Sequence, residues 1–483
     1  MTGSSRRRRD QRHRQRHRAA EAARRDAIVK AVVERLPAEL HADIHRRLPF
    51  LRRLAFASVC TATGHMLRPE APWLLLPGAA TKEKKKATNE DSDEEEPEEE
   101  TATPPVTAGE EKSTVLSMAE GGSEAPLRTP GLALADRVII GSTDGWLVTA
   151  DDRGALRMAN PATFAEAPLP AITTIPFLSS TGGGSWFVVD VEPFVRVRFG
   201  GAPPPVDDKD WGASLPRTCT LTATQMRQKF YRKVVLSSTP SPRNYDAMLI
   251  PDRYIGAPAF TTAENGTGWR MAPSVAGVED AIHHDGMFVS VSYAGDVEAW
   301  RLDAATGEYA SKAVAPRLVF GDGKHPRRKY LAASPDGRLM AVLKHAVVEE
   351  NEHVYRRSKV TRVVFEVRVL DAAAGRWKAV ADIGDAALFV GVNGTVCVRA
   401  TEYPGVEAGC VYFTDDEVGE ACLRRAQGVT TVRYGYDEAD ETELRATGVF
   451  SLKEGKVTQR IAEKSDDKQP RWPPAAWFTP SFL

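Results

Sequence analysis

The clearest pattern along the chain lies in residues 281–309, AIHHDGMFVSVSYAGDVEAWRLDAATGEY. There Met287, Val289, Val291 and Tyr293 alternate with Phe288, Ser290 and Ser292, and Val297 and Ala299 alternate with Trp300 and Leu302. A period of two on either side of Ala294-Gly295-Asp296 predicts two strands joined by a tight turn. Both faces of that hairpin carry apolar residues, so it needs cover on both sides, as a β-propeller blade has between its neighbours. Its ending, Leu302-Asp303-Ala304-Ala305-Thr306-Gly307-Glu308-Tyr309, recurs as Leu370-Asp371-Ala372-Ala373-Ala374-Gly375-Arg376-Trp377. In this internal repeat Asp caps a turn, Gly supplies the positive φ at its close and an aromatic opens the next strand.

The same reading extends to most of the C-terminal two thirds. Residues 138–160 predict three strands with turns between them, and 188–199, 233–237, 247–250 and 269–271 add short strands among Pro- and Gly-rich turns. Residues 329–344 repeat strand, Pro-Asp-Gly turn, strand. Val363, Phe365, Val367 and Val369 mark one face of a strand over 361–370, and 387–399 and 410–413 continue the series. The expected fold is mainly β, a propeller of short antiparallel blades.

The N-terminal part changes period. From Ala19 the composition becomes helical, with Ile28, Val32 and Val33 on one face. Leu40, Ile44 and Leu48 then stand at i, i+4, i+8, Pro49 breaks that helix, and Leu54, Ala55, Ser58 and Val59 begin another. A helical group this small needs burial against something else. Residues 81–122 carry hardly an apolar side chain, and a segment that cannot bury surface does not offset its ordering entropy. The expected organisation is therefore a basic tail running into a helix over 1–35, a helical module over 36–78, an acidic disordered linker over 79–130 and the propeller over 131–483.

The formal net charge of −1 over 483 residues hides strong segregation. Arg6, Arg7, Arg8 and Arg9 open an Arg-rich tail, while residues 91–100 are almost wholly acidic. The tail reads either as a nuclear-localisation or nucleic-acid patch or as a solvated extension, with a mitochondrial presequence a lesser third reading. Ser92, ahead of Asp93, Glu94 and Glu95, suits an acidic-directed kinase, although a plain spacer explains it better. No apolar run approaches the roughly 18 residues of a membrane span and no apolar leader core is present, so the expectation is an intracellular chain, nuclear or cytoplasmic, with an organelle left open. Five cysteines without CxxC spacing read as reduced core thiols.

Two resemblances sharpen this picture. Leu36-Pro37-x-Glu39-Leu40-x-x-x-Ile44-x-x-x-Leu48-Pro49, followed by Phe56 and Val59-Cys60, resembles an F-box, the helical module that docks onto the Skp-type adaptor of SCF ubiquitin ligases. Ala71-Pro72-Trp73-Leu74-Leu75-Leu76-Pro77 is similar to the segment that follows the F-box in many plant proteins. The chain departs from the pattern at His41 and His45, where Leu is usual, at Arg52 in place of an Asp, and at Thr63 in place of a Trp. The remainder resembles the plant domain of unknown function 295, a β-propeller found behind an F-box. The residues that carry this are Gly141-Ser142-x-x-Gly145-Trp146-Leu147-Val148, Glu279-Asp280-Ala281-Ile282 with Gly286, Tyr330-Leu331, Asp385-x-Ala387-Leu388-Phe389-x-Gly391-x-Asn393, Tyr412-Phe413-Thr414-Asp415-Asp416, Gly448-Val449-Phe450 and Trp472-Pro473-Pro474-x-x-Trp477-Phe478-Thr479-Pro480-Ser481.

The resemblance implies a non-catalytic substrate receptor that binds a Skp-type adaptor, and through it a cullin, while the propeller holds an unknown target protein. Leu36, Pro37, Leu40, Ile44, Leu48, Leu54 and Val59 would then form the adaptor-facing surface or the core of the module. The replacements at His41, His45, Arg52 and Thr63 favour an alternative, a propeller interaction protein whose F-box has degenerated. No P-loop, GxSxG, HExxH or paired CxxC is present, so neither a cofactor nor a metal is expected. His41 and His45 lack a third ligand, and His283-His284-Asp285 reads as a loop cluster. Asp415 and Asp416 read as turn carboxylates, since no regular oxygen-ligand spacing follows them. The body disperses its basic residues among acidic ones, which does not indicate nucleic-acid binding.

Overall fold

Runs of β-branched and aromatic residues, cut by Gly, Asp and Pro turns, make the described residues mostly strands, the majority of them short. The structure is a computed structural model that describes residues 35–48, 52–53, 56, 71–76, 114–118, 123–126, 137–151, 153–161, 163, 165–184, 186–190, 218–223, 225–226, 230–251, 257–264, 268–274, 276–303, 305–321, 325–353, 356–416, 446–461 and 474–480. One α-helix, α1 (Ala38–Arg47), precedes the strands among these residues.

The first sheet holds β1 (Trp73–Leu76), β2 (Thr114–Ser117) and β3 (Ser123–Pro126), and the second β4 (Val138–Thr143), β5 (Trp146–Ala150), β6 (Leu156–Asn160) and β7 (Ala165–Pro168). A three-stranded sheet follows, from β8 (Leu178–Thr181), β9 (Trp186–Asp190) and β10 (Thr218–Thr222). Three further meanders are β11 (Tyr231–Leu236) with β12 (Asp246–Pro251), β13 (Ala259–Thr262) and β14 (Arg270–Met271); β15 (Val278–His284) with β16 (Met287–Ser292), β17 (Val297–Leu302) and β18 (Tyr309–Ala315); and β19 (Arg328–Ala333) with β20 (Leu339–His353), β21 (Arg356–Asp371) and β22 (Arg376–Val380). A five-stranded sheet contains β23 (Ala386–Gly391), β24 (Gly394–Arg399), β25 (Cys410–Phe413), β26 (Gly448–Ser451) and β27 (Lys456–Arg460). Finally β28 (Ala476–Phe478) pairs with β1 and becomes the first strand of the first sheet. The organising hairpin of the sequence is β16–β17, with Gly295 at φ 93° in its turn.

Apolar clusters join each sheet to the next: β4–β7 to β11–β14, those to β15–β18, then β19–β22, then the five-stranded sheet, and that sheet back to the first. β28 also lies against β4, which closes a ring of six blades among the described residues. The β8–β10 sheet shares the core between the second blade and β11–β14 without separating their first strands. β4 and β11 touch directly, since a Cβ on Gly141 would lie 2.3 Å from the Val234 carbonyl oxygen. Inner strands such as β5 and β23 are buried at every residue, whereas the outermost β18 and β27 are mostly exposed. That gradient is what blades stacked face to face require.

The five-stranded blade departs from a meander. β23 pairs antiparallel with β24 on one side and parallel with β25 on the other, Leu388 opposite Val411. After β24 the chain crosses the start of β23, where the Ala400 N–H donates to the Asp385 carbonyl (2.7 Å) and the Gly409 N–H to that of Ala386 (2.8 Å). β24 is thereby left on the axial side, against β19 of the preceding blade and β4 two blades on. Cys397 on this strand is a free thiol whose pKa burial pushes up to about 12.

Three expectations change. Trp73–Leu76 belongs to a blade rather than to a helical module over 36–78, because a run of four buried apolar residues needs two covered faces. Thr114–Ser117 and Ser123–Pro126, expected inside a disordered linker, are strands, because Val115 and Leu116 find cover by pairing with β1 from beyond the acidic run. The propeller therefore starts well before residue 131. The repeated Asp-to-Gly turn connects third and fourth strands, β17 to β18 and β21 to β22. A third copy at Ser451–Gly455, whose Gly455 N–H donates to the Ser451 carbonyl (2.8 Å), was hidden by its different sequence.

Closure depends on Trp477, whose indole N–H donates to the Val390 carbonyl (3.2 Å) and whose ring meets Phe389 edge-on at 5.0 Å. Trp477→Ala is expected to lower unfolding free energy by about 3–5 kcal/mol. Trp186→Ala, at a half-exposed indole, should change it by roughly 0.5 kcal/mol or less; denaturant melts of both variants check the contrast.

Candidate functional site

The helix α1 starts after Pro37, has Glu39 in its first turn and His45, Arg46 and Arg47 in its last, and ends as Leu48 turns extended ahead of Pro49. Asp43 pairs with Arg46 and with Arg47 (2.7 Å), and Arg53 donates to the Leu48 carbonyl (2.9 Å). Of the stripe expected to form either a docking surface or the core of the module, the two central aliphatics are on the exposed side. Leu40 is 49% and Ile44 38% exposed, while His41 (1%) and His45 (7%) are buried. The ring of His41 lies 6.2 Å from that of Phe56, and burial, aided by the charge of Arg53, lowers the pKa of His45. Leu36 and Leu48 are half-buried and Pro37 is exposed. Leu54, Val59 and Arg6 to Arg9 lie outside the described residues. His41 and His45 thus take the buried face of the helix, and Leu40 and Ile44 form an exposed pair one turn apart.

A second constellation lies near the starts of the first strands. β11 and β15 each carry a β-bulge there, at Arg232 and Glu279, and β4 carries one at Ile140. A bulge re-aims side chains that a regular strand would alternate. Glu279 and Asp280 can therefore both reach neighbouring blades. Lys233 Nζ lies 2.7 Å from Asp280, whose other oxygen accepts the Leu331 N–H (2.8 Å). Lys329 pairs with Glu279, which also accepts the Lys329 N–H (3.0 Å). Lys344 Nζ lies 2.9 Å from Asp416, which the Tyr330 hydroxyl also approaches. All six ionised partners are buried.

Burial pushes the Asp416 carboxyl up, but Lys344 and the Tyr330 hydroxyl outweigh it and hold it below the usual carboxylate range. Burial pushes Glu279 up by more than Lys329 and Arg232 draw it down. Asp415 and Asp416, read from the sequence as turn carboxylates, are buried, and Asp416 reaches Tyr330 and Lys344 of the preceding blade. The sequence contained Glu279, Asp280, Tyr330 and Asp416 among its motifs, yet nothing in it paired the three carboxylates with lysines some 50 to 70 residues away or Tyr330 with Asp416.

The histidine pair sits on β15 rather than on a loop. Successive strand residues point to opposite faces, which separates the two imidazoles. His283 Nδ1 accepts from the Ser238 N–H (3.1 Å), and His284 Nε2 lies 3.4 Å from Asp285. Burial lowers the pKa of His283, against the pull of Asp246 and Asp144. Among the described residues no group of three His, Cys, Asp or Glu is placed to hold a metal, and no helix is long and apolar enough to cross a membrane. A hollow between Phe260, Gly268, Arg270, Leu302 and Tyr309 is no more than water-sized.

A family model described as KIB1-4 beta-propeller matches residues 115–451, well over half of the chain. The F-box/kelch-repeat protein At1g64840 of Arabidopsis thaliana is 34% identical over 108 residues, which is 22% of this chain and 27% of that protein. The chain thus spans about a quarter of that relative's length. Among solved structures, Hsv2 of Kluyvelomyces marxianus is similar at 12% identity and a TM-score of 0.25, covering 57% of this chain and 78% of that one. Apo AztD from Citrobacter koseri is similar at 10% identity and a TM-score of 0.21, covering 68% and 98%.

Lys233→Met, which strands the Asp280 carboxylate, is expected to cost about 3–5 kcal/mol, and adding Asp280→Asn should restore most of it. For Asp416, whose folded pKa is depressed, the contribution to stability is complete above the unfolded value of about 4 and is lost as pH falls through the folded one. The stability gap between wild type and Asp416→Asn should accordingly narrow on acidification below about pH 4; urea melts across that range measure it.

Proposed function

The chain belongs to the KIB1-4 β-propeller family, and from that premise we propose that it is a substrate-recognition subunit of an SCF-type ubiquitin ligase. On this reading the helical module around α1 binds a Skp-type adaptor, and through it a cullin. The propeller, read as the plant domain of unknown function 295, holds a target protein. The chain catalyses nothing itself and acts by keeping its target near the ubiquitin-loaded enzyme. The observation that carries this is the exposed Leu40–Ile44 pair on a helix preceding the blades. Two aliphatics a helical turn apart suit helix-to-helix docking, where a few buried anchors supply most of the affinity. The partial likeness to a protein named for an F-box supports the same reading.

The second reading, a propeller interaction protein without ligase partnership, is favoured by His41 and His45 on the buried face. Each histidine buries less apolar surface than the Leu usual there, which weakens the module that must present Leu40 and Ile44. Both readings are of an intracellular protein, nuclear or cytoplasmic with an organelle left open, in which Arg6 to Arg9 serve either as a localisation signal or as part of a solvated tail.

Full-length chain should capture purified Skp-type adaptor in a pull-down. Leu40→Asp and Ile44→Asp should each weaken capture by about tenfold or more, since one anchor is worth ~1–3 kcal/mol. Capture unchanged by both variants, or no capture by a chain with a cooperative melt, would move the assignment to the second reading.

A further inference from the structure

The buried charges between blades do not all pair. Lys233, Lys329 and Lys344 each hold a buried carboxylate, at Asp280, Glu279 and Asp416 respectively. Arg328, the first residue of β19, is only 4% exposed and joins none of these pairs. Its Nε and Nη1 are fully enclosed and have no hydrogen-bond acceptor among the described residues. Its guanidinium carbon lies 5.9 Å from the centre of the Tyr330 ring. Arg328 and Tyr330 share a face of β19, and Lys344 stands opposite Arg328 in register on β20. Tyr330 and Lys344 both point to Asp416 and leave Arg328 as surplus positive charge at the edge of that pair.

An unpaired buried guanidinium is costly, because it gives up hydration and no counter-charge replaces it. The ring contact with Tyr330 offsets little of this. We infer that Arg328 marks an anion subsite between the β19–β22 blade and the five-stranded blade, taking a single oxyanion group, a carboxylate or a phosphate. Arginine suits either group, since its planar fork of N–H donors matches two oxygens at once. Tyr330 and Lys344, held by Asp416, fix the wall on which the guanidinium rests. The inference is independent of whether α1 docks an adaptor.

The test is thermal unfolding of the full chain at constant ionic strength in sodium chloride, with sodium acetate or inorganic phosphate as the added probe. In wild type one of the two probes should raise the melting temperature by roughly 2 °C or more at saturation, and which one does so identifies the group. Arg328→Met should melt higher than wild type in chloride alone, because the unpaired charge is gone, and should show no response to either probe. Arg328→Lys, which keeps the charge and loses the fork, should respond weakly. Melting of Arg328→Met below wild type in chloride would overturn the inference, as would an equal response of wild type and that variant or no response of wild type to either probe.

Discussion

A sheet with apolar residues on both faces has no stable existence in water until both are covered, and among the described residues each blade is covered by the blades beside it, with the β8–β10 sheet adding to the cover of two of them. A row of such blades always leaves two faces bare, and bending the row into a ring removes them. The pairing of β28 with β1 is the step that does so, joining residues 476–478 to 73–76. Asn393 bonds the backbone of Trp477 in both directions, and the indole reaches the Val390 carbonyl, so the closing strand is held to the five-stranded blade as well as to its own. The cores between blades all depend on that closure.

Closing a ring of flat apolar faces leaves the angle and height of each blade loosely fixed, since apolar contact has no direction. The buried ion pairs are directional. Asp280 binds Lys233 in the blade before and the Leu331 N–H in the blade after, so one carboxylate sets the height of three first strands at once. The bulge at Glu279 lets two adjacent residues serve neighbours in this way. Such pairs add little net stability against an apolar replacement, and their value here is in fixing one arrangement of blades. β24 adds to this from the axis, where it touches β19 of the adjacent blade and β4 of a blade that is not its neighbour.

The helix α1 stands in a different physical situation. Its inward face is made of imidazoles and its outward face of Leu40 and Ile44, an inversion of what an isolated amphipathic helix would choose. An aliphatic pair left in water is a site for association, while burial lowers the pKa of His45 and so favours the neutral imidazole on the inward face. The exposed aliphatics and the buried histidines thus lie on two faces of one helix, which explains why the sequence pattern around them reads as both present and eroded.

The alternation in residues 287–302, the repeated Asp-to-Gly turn and the strand–turn spacing determined the fold class by themselves, because period-two patterning and turn chemistry are local properties. The helix over 38–47 was local in the same sense. Three things were decided only in the folded chain. Thr114–Ser117 looked like part of a solvated linker because four residues cannot announce a strand whose partner lies beyond a long acidic run. Asp416 looked like a turn residue because its lysine and tyrosine partners come from another blade. The spare charge of Arg328 was invisible because pairing is a property of distance in space, and a sequence lists charges without saying which of them meet.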